Sequence, residues 1–181
     1  MNAFDNRKLR ITQCEPLHPA TAVEFDALDR THARVLATLA DLQRLVEHLE
    51  AHGIDDQARA DAAMVCEFFS STARSHHAIE EQQVFPELLL HADADLGQCI
   101  ERLQQDHGWL EEDWIELEPQ LQAVARGYSW YDLDSLRHSV DVFATLYQEH
   151  LALEENAVYP AARQLDAARA RSAEAGTAME R

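Results

Sequence analysis

Glycine and proline are scarce, with five of each in 181 residues. So few breakers exclude a loop-rich fold, and the abundant residues, Ala, Leu, Glu, Gln and Arg, are strong helix formers. Bases are also few: 15 Lys and Arg stand against 33 Asp and Glu, a formal net charge of −18. Such a surface repels phosphate backbones and anionic lipid, so neither nucleic acid nor a membrane is expected as a partner. No apolar run approaches the ~20 residues of a membrane span. The opening MNAFDNRKLRITQC lacks the apolar stretch of a signal peptide. Cys14, Cys66 and Cys99 are odd in number and form no CxxC pair. That excludes a disulfide framework and a thiolate zinc site, and it fits reduced thiols in a cytoplasm. Cys66 and Cys99 read as small hydrophobes.

What is present is helical periodicity. Residues 1–19 carry Pro16 and Pro19 and no clean period, and read as an irregular N-terminal extension. A first helix is expected over about 20–52, on Phe25, Leu28, Val35, Leu36, Leu39, Leu42, Val46 and Leu49, capped by Gly53. A second runs from Asp55 or Asp56 to about Leu90 through Met64, Phe68, Phe69 and Val84, with Pro86 expected to bend it or end its regular part. A third covers about 96–126 and ends at Gly127, and a fourth covers about 136–165. The sequence after 165 has almost no large apolar residues and reads as a polar tail. Four long amphipathic helices with short connections predict an all-α, antiparallel up-and-down four-helix bundle over 20–165.

The strongest feature is an internal repeat. HHAIEEQQVFP at 76–86 returns as HLALEENAVYP at 150–160, an offset of 74. His32 and His107, 75 apart, head the two copies. The chain is thus two helical hairpins, each with a lone His and then HxxxE. Distances from the turns place these residues at one height. His32 lies 21 residues before Gly53 and His76 lies 20 after Asp56. At ~1.5 Å per residue both stand ~30 Å from the same turn. His107 lies 20 residues before Gly127 and His150 lies 18 after Asp132. All four sit within apolar stripes, and His76–Glu80 and His150–Glu154 each share a face through i,i+4 spacing. Leaving four histidines and two glutamates unsatisfied there would cost on the order of 10 kcal/mol.

Metal is the simplest compensation. Imidazole nitrogen with carboxylate oxygen suits iron, manganese, zinc or nickel better than a soft-metal or all-oxygen site would. Two glutamates related by the repeat suggest a pair of ions bridged by Glu80 and Glu154, with His32, His76, His107 and His150 as terminal ligands. Six protein ligands plus an oxo or hydroxo group leave an open position for a small molecule. Glu111, one turn beyond His107, and His77, beside His76, are candidates for additional ligation. Glu81 and Glu155 read as solvated or as standing behind the ligands. His18, His48, His91 and His138 have no motif support, His52 suits a helix end, and Tyr147 and Trp114 read as core.

The doubled pattern H…HxxxE, each followed by EExxV(F/Y)P, resembles the hemerythrin-like (HHE cation-binding) family over about residues 20–165. The resemblance implies a non-haem di-iron centre with His32, His76, Glu80, His107, His150 and Glu154 as ligands. The oxygen carriers of that family have HxxxH on the third helix and HxxxxD on the fourth. Here these read His107…Glu111 and His150…Glu154, with Glu155 at the longer spacing. The carboxylate-richer set points away from simple oxygen carriage. It points toward handling of O₂, NO or peroxide by sensing, storage or detoxification, with a small diatomic or peroxide as partner. A catalase- or peroxidase-like di-iron enzyme, or a non-catalytic metal-binding module of iron homeostasis, are the alternatives. A ferritin-like site would need Glu three residues before a histidine, and neither His76 nor His150 has one.

Overall fold

The computed structural model describes residues 23–179, so the expected N-terminal extension, Cys14 and His18 lie outside the described residues. Seven α-helical segments follow in chain order: α1 (Phe25–His52), α2 (Asp56–Glu67), α3 (Arg74–Ile79), α4 (Phe85–Leu89), α5 (Ala94–Ala125), α6 (Leu133–Leu153) and α7 (Tyr159–Met179). No strand occurs among the described residues. Segments α2, α3 and α4 are joined without a break by π-helical turns at Phe68–Ala73 and Glu80–Val84, and α6 passes into α7 through a third at Glu154–Val158. The seven therefore make the four expected bundle helices. Each packs on two neighbours: α1 lies against α2 and α6, and α5 lies against the same two.

The ends follow local chemistry. Asp55, Asp93 and Asp132 are extended and accept from the amides of Ala58, Leu96 and Ser135 at 2.8–2.9 Å, satisfying donors that the first turn leaves open. Gly53, at φ 72° and ψ −158°, stops α1 while its amide donates to the Leu49 carbonyl. That backbone region is essentially closed to residues with a Cβ.

Three expectations change. Pro86 does not end its helix: the chain continues through α4, because the π turn before it supplies a wider register. There the Phe85 amide donates to the Glu80 carbonyl, five residues back. A proline ring strikes the carbonyl four residues back in a regular helix, and a π turn relieves that crowding. The fourth helix does not stop near Leu165 but runs to Met179. Leu36 and Met64 are 44% and 51% exposed. The buried seams are Leu28, His32, Val35, Leu39, Leu42, Val46, Leu49 and Ala58, Ala62, Val65, Phe69, and both exposed residues sit off those rows. Cys66 and Cys99 are half-buried.

The core falls into two parts. One apolar cluster fills the Gly53 end, including Leu42, Trp114, Leu121 and Phe143. A smaller one, including Leu28, Phe85, Ile100, Leu103 and Tyr159, fills the other. Between them lies a layer of buried polar side chains.

Candidate metal centre

The polar layer is made by one turn from each bundle helix. His32 of α1, His76 of α3, Glu80 of the second π turn, His107 of α5, His150 of α6 and Glu154 of the third π turn are all buried. The two π turns that follow HxxxE are equivalent in the repeat, and the Tyr159 amide donates to the Glu154 carbonyl as Phe85 does to Glu80. A π turn inserts a residue into the helical count. It keeps the glutamate in the layer while turning the next apolar residues, Val84 and Phe85, or Val158 and Tyr159, onto the same core side.

All six expected residues come together. Ligand-capable atoms of His32, His76, Glu80 and Glu154 lie within 4.8 Å of one another, and so do those of Glu80, His107, His150 and Glu154. The two glutamates belong to both groups, one oxygen in each. Glu154 Oε2 is 3.2 Å from His32 Nε2, and its Oε1 is 3.1 Å from His150 Nε2. Glu80 Oε1 is 3.3 Å from His76 Nε2, and its Oε2 is 3.5 Å from His107 Nε2.

Of the two candidates for additional ligation, His77 is in the layer and Glu111 is not. His77 stacks on His107 with ring centroids 4.2 Å apart, and it forms a third donor group with His107 and His150. Glu111 instead accepts from Arg74 at the surface, with Nε 2.9 Å away. His52 stacks on His48 at the far end of α1.

Glu81 and Glu155 do stand behind histidines, each in the opposite hairpin. His32 Nδ1 donates to Glu155 at 3.1 Å, and His107 Nδ1 donates to Glu81 at 2.9 Å. A carboxylate accepts only, so it fixes the proton on Nδ1 and leaves the Nε2 lone pair facing the layer.

Two residues escape the sequence reading. The Tyr159 hydroxyl donates to Glu80 Oε1 and lies 3.0 Å from His32 Nε2. Its only signal is that Tyr159 stands where the other repeat has Phe85. Asp106 is buried, with Oδ2 3.8 Å from His150 Nδ1.

The layer is electrostatically unsettled without a cation. Burial and the neighbouring Glu154 push the Glu80 carboxyl up to about 7. Burial acts on Glu154 in the same sense, but His150 and His32 outweigh it and hold that carboxyl well below the usual range. Burial pushes His76 down to about 3. His150 rises to about 9 because Asp106 and Glu154 overcome its burial. Among the described residues nine buried side-chain atoms have no hydrogen-bond partner: His76 Nδ1, Glu80 Oε2, both oxygens of Asp106, His107 Nε2, both nitrogens of His150 and both oxygens of Glu154. Native interiors leave few such atoms. Most of these point into the two donor groups, and cations there would satisfy them. The donor chemistry therefore fits nitrogen- and oxygen-ligated metal.

Residues 23–162 match the family model described as the Hemerythrin HHE cation binding domain. An uncharacterized protein of Haemophilus influenzae is 31% identical over 142 residues, 78% of this chain and 80% of that relative. No solved structure matches the chain.

Proposed function

The chain belongs to the hemerythrin HHE cation-binding domain family, and from that premise we propose that it holds two iron ions and handles O₂, NO or peroxide beside them. The observation that carries this reading is the division of each carboxylate between two donor groups. Glu80 and Glu154 each offer one oxygen to the His32–His76 side and one to the His107–His150 side. When bound, the irons supply exchangeable electrons and an open coordination position.

The chain's own residues do the rest. Glu155 and Glu81 hold protons on Nδ1 of His32 and His107 and so aim Nε2 inward. Tyr159 keeps a proton between its oxygen and Glu80 Oε1. The two apolar clusters on either side keep bulk water out. A cavity of about 10 Å³ lies against His77 and Tyr147, among Phe69, Leu110, Trp114 and Phe143 and beside the Arg74–Glu111 pair. It has room for a single water-sized molecule, which favours a diatomic or peroxide over any larger ligand.

Protein purified from iron-replete cells is expected to carry two irons per chain and to change its visible spectrum on exposure to air or NO. Less than one iron per chain, or zinc in its place with no spectral response, contradicts this reading. The Tyr159 proton beside Glu80 favours one second reading, a catalase- or peroxidase-like enzyme. Peroxide consumption by the iron-loaded protein above that of free iron would select it.

A further inference from the structure

Away from the metal layer, α5 and α6 flank a surface groove of about 570 Å³. Trp109, 47% exposed, and Val142, 45% exposed, give it an apolar floor with Leu146. Glu112, Asp113 and Asp141 stand along it. Among the described residues no lysine or arginine lies within ion-pair distance of these three carboxylates, whereas Glu149, at the groove's end, pairs with Arg102. The burden shows on Asp113, whose carboxyl is raised by burial and by the like charges of Glu116 and Glu112. An apolar floor under acids that make no ion pair among the described residues, with Arg137 acting on Asp141 only at longer range, selects an occupant that alternates basic and apolar side chains. It disfavours the same face of a second copy, which would set acid against acid.

The chain contains such a segment. Residues 7–11 read Arg-Lys-Leu-Arg-Ile, three bases in five positions, including the only lysine in 181 residues. We propose that residues 7–11 dock in the Trp109–Val142 groove, with Arg7, Lys8 and Arg10 against Glu112, Asp113 and Asp141, and Leu9 and Ile11 toward the floor. The reach is sufficient. Val23 is nine residues before His32, so it stands ~13 Å to one side of the metal layer at ~1.5 Å per residue. The groove residues used here lie on the other side, Trp109, Glu112 and Asp113 two to six positions after His107 and Asp141, Val142 and Leu146 four to nine before His150, ~3–14 Å from the layer. Bundle order sets α6 beside α1, so the path crosses one helix. Residues 11–23 span up to ~40 Å when extended. Tethering also raises the segment's effective concentration to the millimolar range of short linkers, above that of a free basic peptide.

Lys8 makes the test direct. In the full-length protein at low micromolar concentration, a zero-length carbodiimide can join carboxylates only to Lys8 or the terminal amine. Peptide mapping is expected to find Lys8 linked within one chain to Glu112, Asp113 or Asp141. In a paired measurement, the double variant K8E/R10E is expected to shift the Trp109 indole N–H resonance while leaving that of buried Trp114 in place. Lys8 linked to carboxylates elsewhere, linked only between chains, or not linked at all would overturn the proposal, as would a Trp109 resonance that K8E/R10E does not move.

Discussion

Glu155 and Glu81 each hold a histidine that belongs to the other hairpin, at 3.1 and 2.9 Å from Nδ1. Their position explains why the repeat carries a pair of acids rather than one: the first faces the layer and the second fixes an imidazole from behind. Groups in this position typically tune metal affinity by 10–100-fold. Glu81→Ala and Glu155→Ala are each expected to weaken metal binding by about that factor in a chelator competition. Unchanged affinity in both would show that the Nδ1 contacts have no part in ligation. The HxxxE residues were legible because polar side chains recur inside an apolar stripe at matched heights. Tyr159 was not, since a Phe/Tyr exchange reads as apolar conservation and the hydroxyl matters only once Glu80 is seen beside it. Glu111 stands apart from the layer for a reason that spacing does not show. Its i+4 spacing from His107 is right, but Arg74 across the interface offers it a partner at the surface.

At the scale of elements, the repeat is a repeat of irregular turns as well as of residues. Both HxxxE segments run into a π turn ahead of a proline. Periodicity alone predicts a bend or an end at Pro86, because a regular helix is the only frame in which it counts residues. The same limit explains Leu36 and Met64, which fit an apolar count but fall off the buried rows. The helix ends were legible, since Asp caps and Gly stops act through local geometry. Gly53 offers a clean test. A Cβ built there meets nothing within 4 Å, so the cost of Gly53→Ala is that of the backbone conformation alone. At φ 72° and ψ −158° the expected loss is about 1–3 kcal/mol in chemical denaturation. A neutral result would mean that the turn readjusts freely.

At the scale of the molecule, a layer of histidines and carboxylates interrupts what would otherwise be one continuous apolar core. The bundle was legible from four amphipathic stripes and short connections; the division of its core follows from the ligand heights. Without metal, nine buried atoms among the described residues stay unpartnered, so metal is expected to stabilise the fold markedly. Free ion at 1,000 times its Kd adds about 4 kcal/mol at one site. At ~2–4 °C per kcal/mol for a chain of this size, that is a rise in Tm on the order of 10 °C over chelator-treated protein. Scanning calorimetry with and without chelator reads it, and identical melting curves would deny the layer any metal.

The central claim is that two ions share Glu80 and Glu154. Anomalous scattering from crystals of the metal-loaded protein, collected across the iron edge, tests it most directly. The account predicts two iron peaks about 3.5–4 Å apart, one beside His32 and His76 and the other beside His107 and His150, with a carboxylate oxygen of each glutamate at both. A single peak, peaks outside this layer, or no iron signal in iron-loaded crystals would contradict it.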